Sequence, residues 1–226
     1  MIWHESAPYR DRRDAGGGLA LILAQEQIVG GVFFAIPRGG VPVAVEAATR
    51  LGFPLDVVVP RKLPIPGNTE AGFGAVTEDG VIVLNEPLVE ELGLTQHQIE
   101  HQAEAVKAEI RRRLLLYRAR LPAVSCRGKT AIVVDDGLAS GYTMLAAMAS
   151  LRKRGADRVV AAAPVASSHA WELVRAEADA VVAPIVSSHY PFAVASFYGH
   201  WHDLTDREVF TELERYGKAR EGREET

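Results

Sequence analysis

From the amino terminus onward, the chain alternates short runs that are apolar throughout with longer segments in which apolar positions recur every three or four residues. The short runs predict strands: "GGVFFAIPRGG" (30–40), "PLDVVVPRK" (54–62), "VIVLN" (81–85), "KTAIVVDD" (129–136), "RVVAAAPVAS" (158–167) and "DAVVAPIVS" (179–187). The longer segments predict helices over 14–29, 41–52, 95–121, 142–155 and 169–178. Gly52 is placed to close the second of these as a C-terminal cap. In the third, Thr95 and Gln98 match a capping box, and Ile99, Ala103, Val106, Ile110, Leu114, Tyr117 and Leu121 form one apolar stripe before Pro122 stops the helix. The Pro/Gly-rich stretch 63–80 predicts a mobile loop or ribbon, and the charged tail 218–226 predicts disorder. There is no repeat and no linker, so one domain spans 1–226.

Strands that lack polar alternation are buried on both faces, and their regular exchange with helices predicts an α/β fold around a mostly parallel sheet. Ligands of such folds bind beyond the carboxyl ends of the strands. Three unusual loops leave strand ends, "PRGG", "PRK" and "DDGLASG", and they are expected to converge on one site.

Composition narrows the class only a little. The chain has 226 residues, 48% of them hydrophobic and 24% charged, as in an ordinary globular domain. A formal net charge of −4 offers a nucleic acid no general attraction. The single cysteine, Cys126, excludes an intramolecular disulfide and points to a reducing, cytoplasmic setting. The first residues carry no apolar core of the secretory kind, and no apolar stretch approaches the ~20 residues that cross a bilayer.

The stretch "IVVDDGLASGYT" (132–143) carries the chemistry. Two acids end a buried strand, and small residues then lead into a helix. The first turn of that helix has free amides and a partial positive charge, which favour a phosphate. Ser140 and Thr143 add hydroxyls. Asp135 and Asp136 would repel that phosphate, so they suit a neutral polyol such as a ribose, or a hard cation such as Mg²⁺, beside it. An Asp-rich turn that only caps the helix is the structural alternative. For "PRGG" and "PRK" the alternatives are an ordinary turn and a solvated basic pair.

This stretch resembles the motif of the type I phosphoribosyltransferases, which bind phosphoribosyl pyrophosphate (PRPP). The resemblance covers about residues 30–190 and implies the fold of that family, with a small hood or flap and a mobile loop. It implies that Asp135 and Asp136 hold the ribose hydroxyls. Gly137, Leu138, Ala139, Ser140, Gly141, Tyr142 and Thr143 would hold the 5-phosphate. "PRGG" resembles the family's pyrophosphate loop, so Arg38, Gly39 and Gly40 would lie against the pyrophosphate. "PRK" with the following Pro/Gly stretch resembles the catalytic loop, with Arg61 and Lys62 as its basic residues. More narrowly, the chain is similar to a branch in which "RK" and then "PGN.E...GAV.E.G" precede the long helix.

The implied reaction moves the 5-phosphoribosyl group from PRPP to an acceptor, such as a nucleobase, with release of pyrophosphate. Mg²⁺ would be held mainly through PRPP, with Asp135 and Asp136 as further ligands. Family habit and the apolar stripe of the long helix imply a homodimer. In the segment 188–203, Tyr190, Phe192, Phe197, Tyr198 and Trp201 are aromatic; Phe192, Tyr198 and Trp201 are the candidate acceptor contacts, and a packed hydrophobic flap is the alternative. Glu70 and Glu78 read as solvated loop charges rather than acid–base groups. Many purine-specific relatives carry an aspartate or another polar residue where this chain has Ala139, so a non-catalytic PRPP-binding regulator is the rival reading. "HQIEH" (97–101) matches an inverted zinc-peptidase motif, but its stripe through Ile99 faces the core and it has no partnered acid downstream. "HWHD" (200–203) lacks a complete ligand set, and the basic "RRRLLLYRAR" (111–120) reads as a solvated helix flank rather than a nucleic-acid face. No Walker or G-x-G-x-x-G motif occurs.

Overall fold

A computed structural model of the chain describes residues 2–3, 7–26, 28 and 30–224, with the side chains at 2–3, 69–71 and 224 excepted. In chain order the first elements are β1 (Ile2–Trp3), α1 (Arg12–Leu23), β2 (Val32–Ala35), α2 (Gly40–Leu51), β3 (Leu55–Val57), β4 (Arg61–Ile65), β5 (Asn68–Val76) and β6 (Ile82–Leu84). They are followed by α3 (Glu86–Glu91), α4 (Gln96–Arg118), β7 (Thr130–Val134), α5 (Tyr142–Lys153) and β8 (Arg158–Ala162). The last are β9 (Val165–Ser167), α6 (Ser168–Arg175), β10 (Ala180–Val182), β11 (Ile185–Ser187), β12 (His200–Trp201) and α7 (Asp206–Glu224).

The central sheet has the order β10-β8-β7-β2-β3 and is parallel throughout. Its strands bury both faces. Phe33, Ala35, Ile132 and Val134 point into one core layer, which includes Leu19 and Leu23 of α1 and Val41, Val45 and Ala48 of α2. Val32, Phe34, Ala131 and Val133 alternate into the other, with Met144 and Met148 of α5 and Val174 of α6. Ala35, Val57, Val134, Ala162 and Val182 pair across the sheet as one row, so the loops that follow them leave at one level. The chain runs outward from β2 to β3 at one edge and from β7 through β8 to β10 at the other. The switch point lies between β2 and β7, the position at which open α/β sheets bind their ligands.

Three predicted strands are shorter than their apolar runs, and a proline marks each break. The runs 54–62, 158–167 and 179–187 are interrupted at Pro60, Pro164 and Pro184. Proline has no N–H to donate to a ladder, so each strand stops before it. The residues beyond Pro164 and Pro184 become β9 and β11, which pair with each other in a separate two-stranded sheet. The stretch 63–80 is ordered as an antiparallel ribbon, β4-β5, completed by β6. The first helix begins at Arg12 and ends at Leu23, short of the predicted 29.

The tail corrects a prediction: α7 is helical through Glu224. Thr205 and Glu208 cap its start reciprocally, and Val209, Leu213 and Tyr216 bury one face in the main core. The residues after Gly217 extend a helix already anchored by that face, and Lys, Arg, Ala and Glu are good helix formers. Residues 225–226 lie outside the described part. In α4 the capping box is present, and its stripe is buried inside the chain through Ile99, Ala103, Ile110 and Tyr117. That stripe therefore needs no second copy to cover it, which removes the physical argument for a dimer. Among the described residues no helix is long and apolar enough to cross a membrane.

Candidate active site

The loop after β7 is held from below. Leu138 donates its N–H to Val165 O (2.9 Å), Ser167 N donates to Leu138 O (2.8 Å), and the Ser167 hydroxyl donates to Ala139 O (2.8 Å). Leu138 is buried. Its amide and side chain both serve the fold, so the expectation that Leu138 contributes to a phosphate cradle is corrected. Ala139 and Ser140 are exposed. Gly141 has φ +85°, a left-handed conformation that L side chains rarely adopt, and starts α5 with no side-chain cap. The first-turn amides of α5 at Tyr142 and Thr143 follow it, so an anion there would meet an uncapped helix end.

The two acids sit in different environments. Asp136 forms an ion pair of 2.7 Å through its Oδ2 with Nε of Arg12; the two side chains are 14% and 8% exposed. Its main-chain carbonyl accepts the Tyr198 hydroxyl (2.6 Å). Asp135 accepts Asp136 N–H through Oδ1 (2.9 Å). Burial, and then the negative charge of Asp136, push the Asp135 carboxyl well above the usual range. The two carboxyls therefore sit in different electrostatic settings, with Arg12 as the counter-charge beside Asp136. Among the described residues no group of three or more His, Cys, Asp or Glu side chains could hold a metal ion, "HQIEH" and "HWHD" included.

The loop after β2 meets this pair directly. Ile36 N–H donates to Val134 O (2.8 Å), so the two strands stay paired beyond the end of β2. A Cβ added at Gly39 would lie 1.9 Å from Asp136 Oδ2, and one at Gly40 would lie 2.4 Å from Val134 O. Both glycines are required by this close approach. Arg38, just before them, lies close enough to Arg61 to help lower its pKa, after burial and the charge of Arg113. Arg61 Nη2 contacts Glu109 Oε1 of α4 (3.1 Å). Lys62 is the next residue on β4, so it points to the opposite face of the ribbon and is exposed. The structure thus ties Arg61 to α4 through Glu109 and sets Lys62 on the other face of the ribbon. The Glu70 side chain lies outside the described residues. Glu78 pairs with Arg154 and accepts Val59 N–H (3.3 Å), a structural role.

The aromatic segment forms a packed hood. Tyr198 is fully buried, its ring centroid 5.8 Å from Tyr9 and 5.2 Å from Trp201. The Arg12 guanidinium lies 3.8 Å from the Trp201 ring centroid. Phe192 packs on Phe197 at 5.6 Å. Tyr198 therefore offers no open face to an acceptor, and one face of Trp201 is covered, which corrects both as simple stacking platforms. Sequence reasoning misses Arg12, although a signal for it exists. Arg12, Ala15, Leu19 and Leu23 step by three or four and are all buried, so a charge extends an apolar stripe and calls for a partner. Of the basic helix flank, Arg113, Arg118 and Arg120 are engaged by Glu109, Asp56 and Glu214 respectively.

The sequence matches the family profile described as "Phosphoribosyl transferase domain" over residues 14–196. The chain belongs to this family. Two curated proteins of Mycobacterium tuberculosis, named "Putative phosphoribosyl transferase Rv0571c" and "Putative phosphoribosyl transferase MT0597", are each 39% identical over 207 residues, covering 92% of this chain and 46% of theirs. The chain thus spans about half the length of these curated relatives. The crystal structure of TT1426 from Thermus thermophilus is 39% identical with a TM-score of 0.78, covering 92% of this chain and 98% of that one. The fold is that of the type I phosphoribosyltransferases.

Proposed function

We propose that the protein transfers the 5-phosphoribosyl group of PRPP to an acceptor nucleophile and releases pyrophosphate. The observation that carries this reading is the junction of the β2 and β7 loops. There Gly39 of "PRGG" lies against Asp136 and Gly40 against Val134 O, at the end of β7 whose loop leads to the uncapped start of α5. One crevice then offers an anion seat at Ser140–Thr143, hydroxyl partners at Asp135 and Asp136, and guanidinium groups at Arg38 and Arg61. That sequence of chemistries matches a phosphate, a pentose and a diphosphate in line.

On this reading, Asp135 and Asp136 hydrogen-bond the two ribose hydroxyls. Arg12 keeps the Asp136 carboxylate in place. Arg38 and Arg61 stabilise negative charge developing on the departing diphosphate as the C1–O bond breaks. Mg²⁺ would enter with the substrate and offset the diphosphate charge, with Asp135 and Asp136 as the residues placed to help hold it. The β4-β5 ribbon carries Arg61 and is the segment placed to cover the leaving group. The acceptor approaches from the hood side, with Phe192 and Trp201 at its border. The free, buried Cys126 agrees with a cytoplasmic enzyme, and a homodimer remains part of the proposal from family habit.

A PRPP-binding regulator is the second reading. Ala139 favours it, because an exposed methyl group stands where a carboxylate would assist an acceptor proton. The test is a screen of nucleobases and amines with PRPP and Mg²⁺, scored by pyrophosphate release, with PRPP affinity measured in parallel for wild type and Asp136→Asn. Turnover with any acceptor supports the transferase. Binding without turnover supports the regulator. Unchanged PRPP affinity in Asp136→Asn removes the ribose assignment and both readings with it.

A further inference from the structure

One oxygen of Glu109 is shared by two arginines from different elements. Arg61 of the β4-β5 ribbon donates to Glu109 Oε1 from Nη2 at 3.1 Å, and Arg113 donates to the same oxygen from Nε at 2.9 Å. Glu109 and Arg113 are four residues apart on α4, so a helical pair accounts for their contact. It does not account for Arg61, which is drawn from the ribbon to the same atom. Burial lowers the Arg61 pKa most, and the charge of Arg113 lowers it next. Two guanidinium groups, one from the ribbon and one from α4, are thus gathered on one carboxylate oxygen. Arg113 also lies 4.0 Å from Asp206 of α7 and is only 14% exposed. Its position is therefore fixed by the fold, whereas Glu109, 39% exposed, is free to turn toward solvent.

We infer that Glu109 is a built-in stand-in for a ligand's phosphoryl oxygen: it occupies an anion seat formed by Arg61 and Arg113 and gives it up when a diphosphate binds. The inference rests on the proposed function for the nature of the ligand and adds to it a third arginine, Arg113, and an internal competitor. Exchanging one anion for another at the same guanidinium groups keeps their charge balanced throughout, so that neither arginine faces its like-charged neighbours without an anion between them.

The test is calorimetric titration of magnesium pyrophosphate into wild type, Glu109→Gln and Arg113→Met at one fixed ionic strength. Glu109→Gln removes the competitor and is expected to bind pyrophosphate about threefold to fivefold more tightly, the size of one or two exposed ion-pair contacts. Arg113→Met is expected to bind it more weakly by a similar or larger factor, with Arg113→Lys recovering part of the loss. A purely structural role for Glu109 predicts the opposite sign or no change, so equal or weaker binding by Glu109→Gln overturns the inference. If wild type binds PRPP and pyrophosphate and Glu109→Gln shows no gain, the inference fails and the proposed function stands. If wild type binds neither, both fail together.

Discussion

Gly39→Ala separates the close-packed site from an ordinary turn. Gly39 has φ −63° and ψ −36°, which alanine adopts without penalty, so any cost comes from the added methyl group alone. That group would lie 1.9 Å from Asp136 Oδ2, 2.4 Å from Cγ and 2.8 Å from Oδ1. Relief to ordinary contact, near 3.5 Å, requires the carboxylate or the loop to move by about 1.5 Å. The 2.7 Å bond from Arg12 to Asp136 does not survive such a shift. Overpacking of this kind costs about 1–3 kcal/mol, and for a chain of this size each kcal/mol lowers the melting temperature by about 2–4 °C. A displaced Asp136 also loses charged hydrogen bonds to a ribose, about 1.5–3 kcal/mol, so PRPP affinity should fall tenfold or more. Scanning calorimetry measures the first effect and titration with PRPP the second. Gly217→Ala, where nothing lies within 4 Å of the added carbon, is the control, and it should leave PRPP affinity unchanged. A Gly39→Ala protein with wild-type melting temperature and wild-type PRPP affinity would refute the reasoning.

Two further perturbations probe the carboxylate pair. Arg12→Met leaves Asp136 buried without its counter-charge and should cost on the order of 3 kcal/mol, read as a lower urea midpoint; an unmoved midpoint would show that the ion pair contributes nothing. Asp135 has a folded-state pKa raised by burial and by Asp136. Its contribution to stability is thus fully present below the ordinary carboxylate pKa of about 4 and is lost as pH rises toward the raised value. Asp135→Asn removes this titration, so its stability advantage over wild type should grow as pH rises from about 4. A pH-independent difference between the two proteins would contradict the assignment.

Much of the site was legible because its chemistry is local. "DDGLASGYT" places two acids, small residues and a helix start in consecutive positions, and the helix start is where an anion seat must be. "PRGG" was legible as a loop but not as a wall: only the structure shows that its glycines are required by Asp136 and Val134 O. The side chain that completes the acid pair, Arg12, lies more than a hundred residues away in sequence, and no local pattern joins the two. The pairing of Arg61 with Arg113, and the separation of Arg61 from Lys62, were likewise out of reach. Adjacent residues look equivalent in a string but face opposite sides of a strand.

The amino-acid sequence alone determined the α/β class, most of its strands and helices, and the small-residue loop between β7 and α5. Each of these follows from periodicity, caps and backbone sterics within a few residues. Only the tertiary structure decided which charge meets which: Arg12 on Asp136, Glu109 between two arginines, and Tyr198 turned inward rather than open to a ligand. The reason is physical. Secondary structure is set by short-range geometry, whereas the ionisation and exposure of a side chain depend on what the fold packs against it.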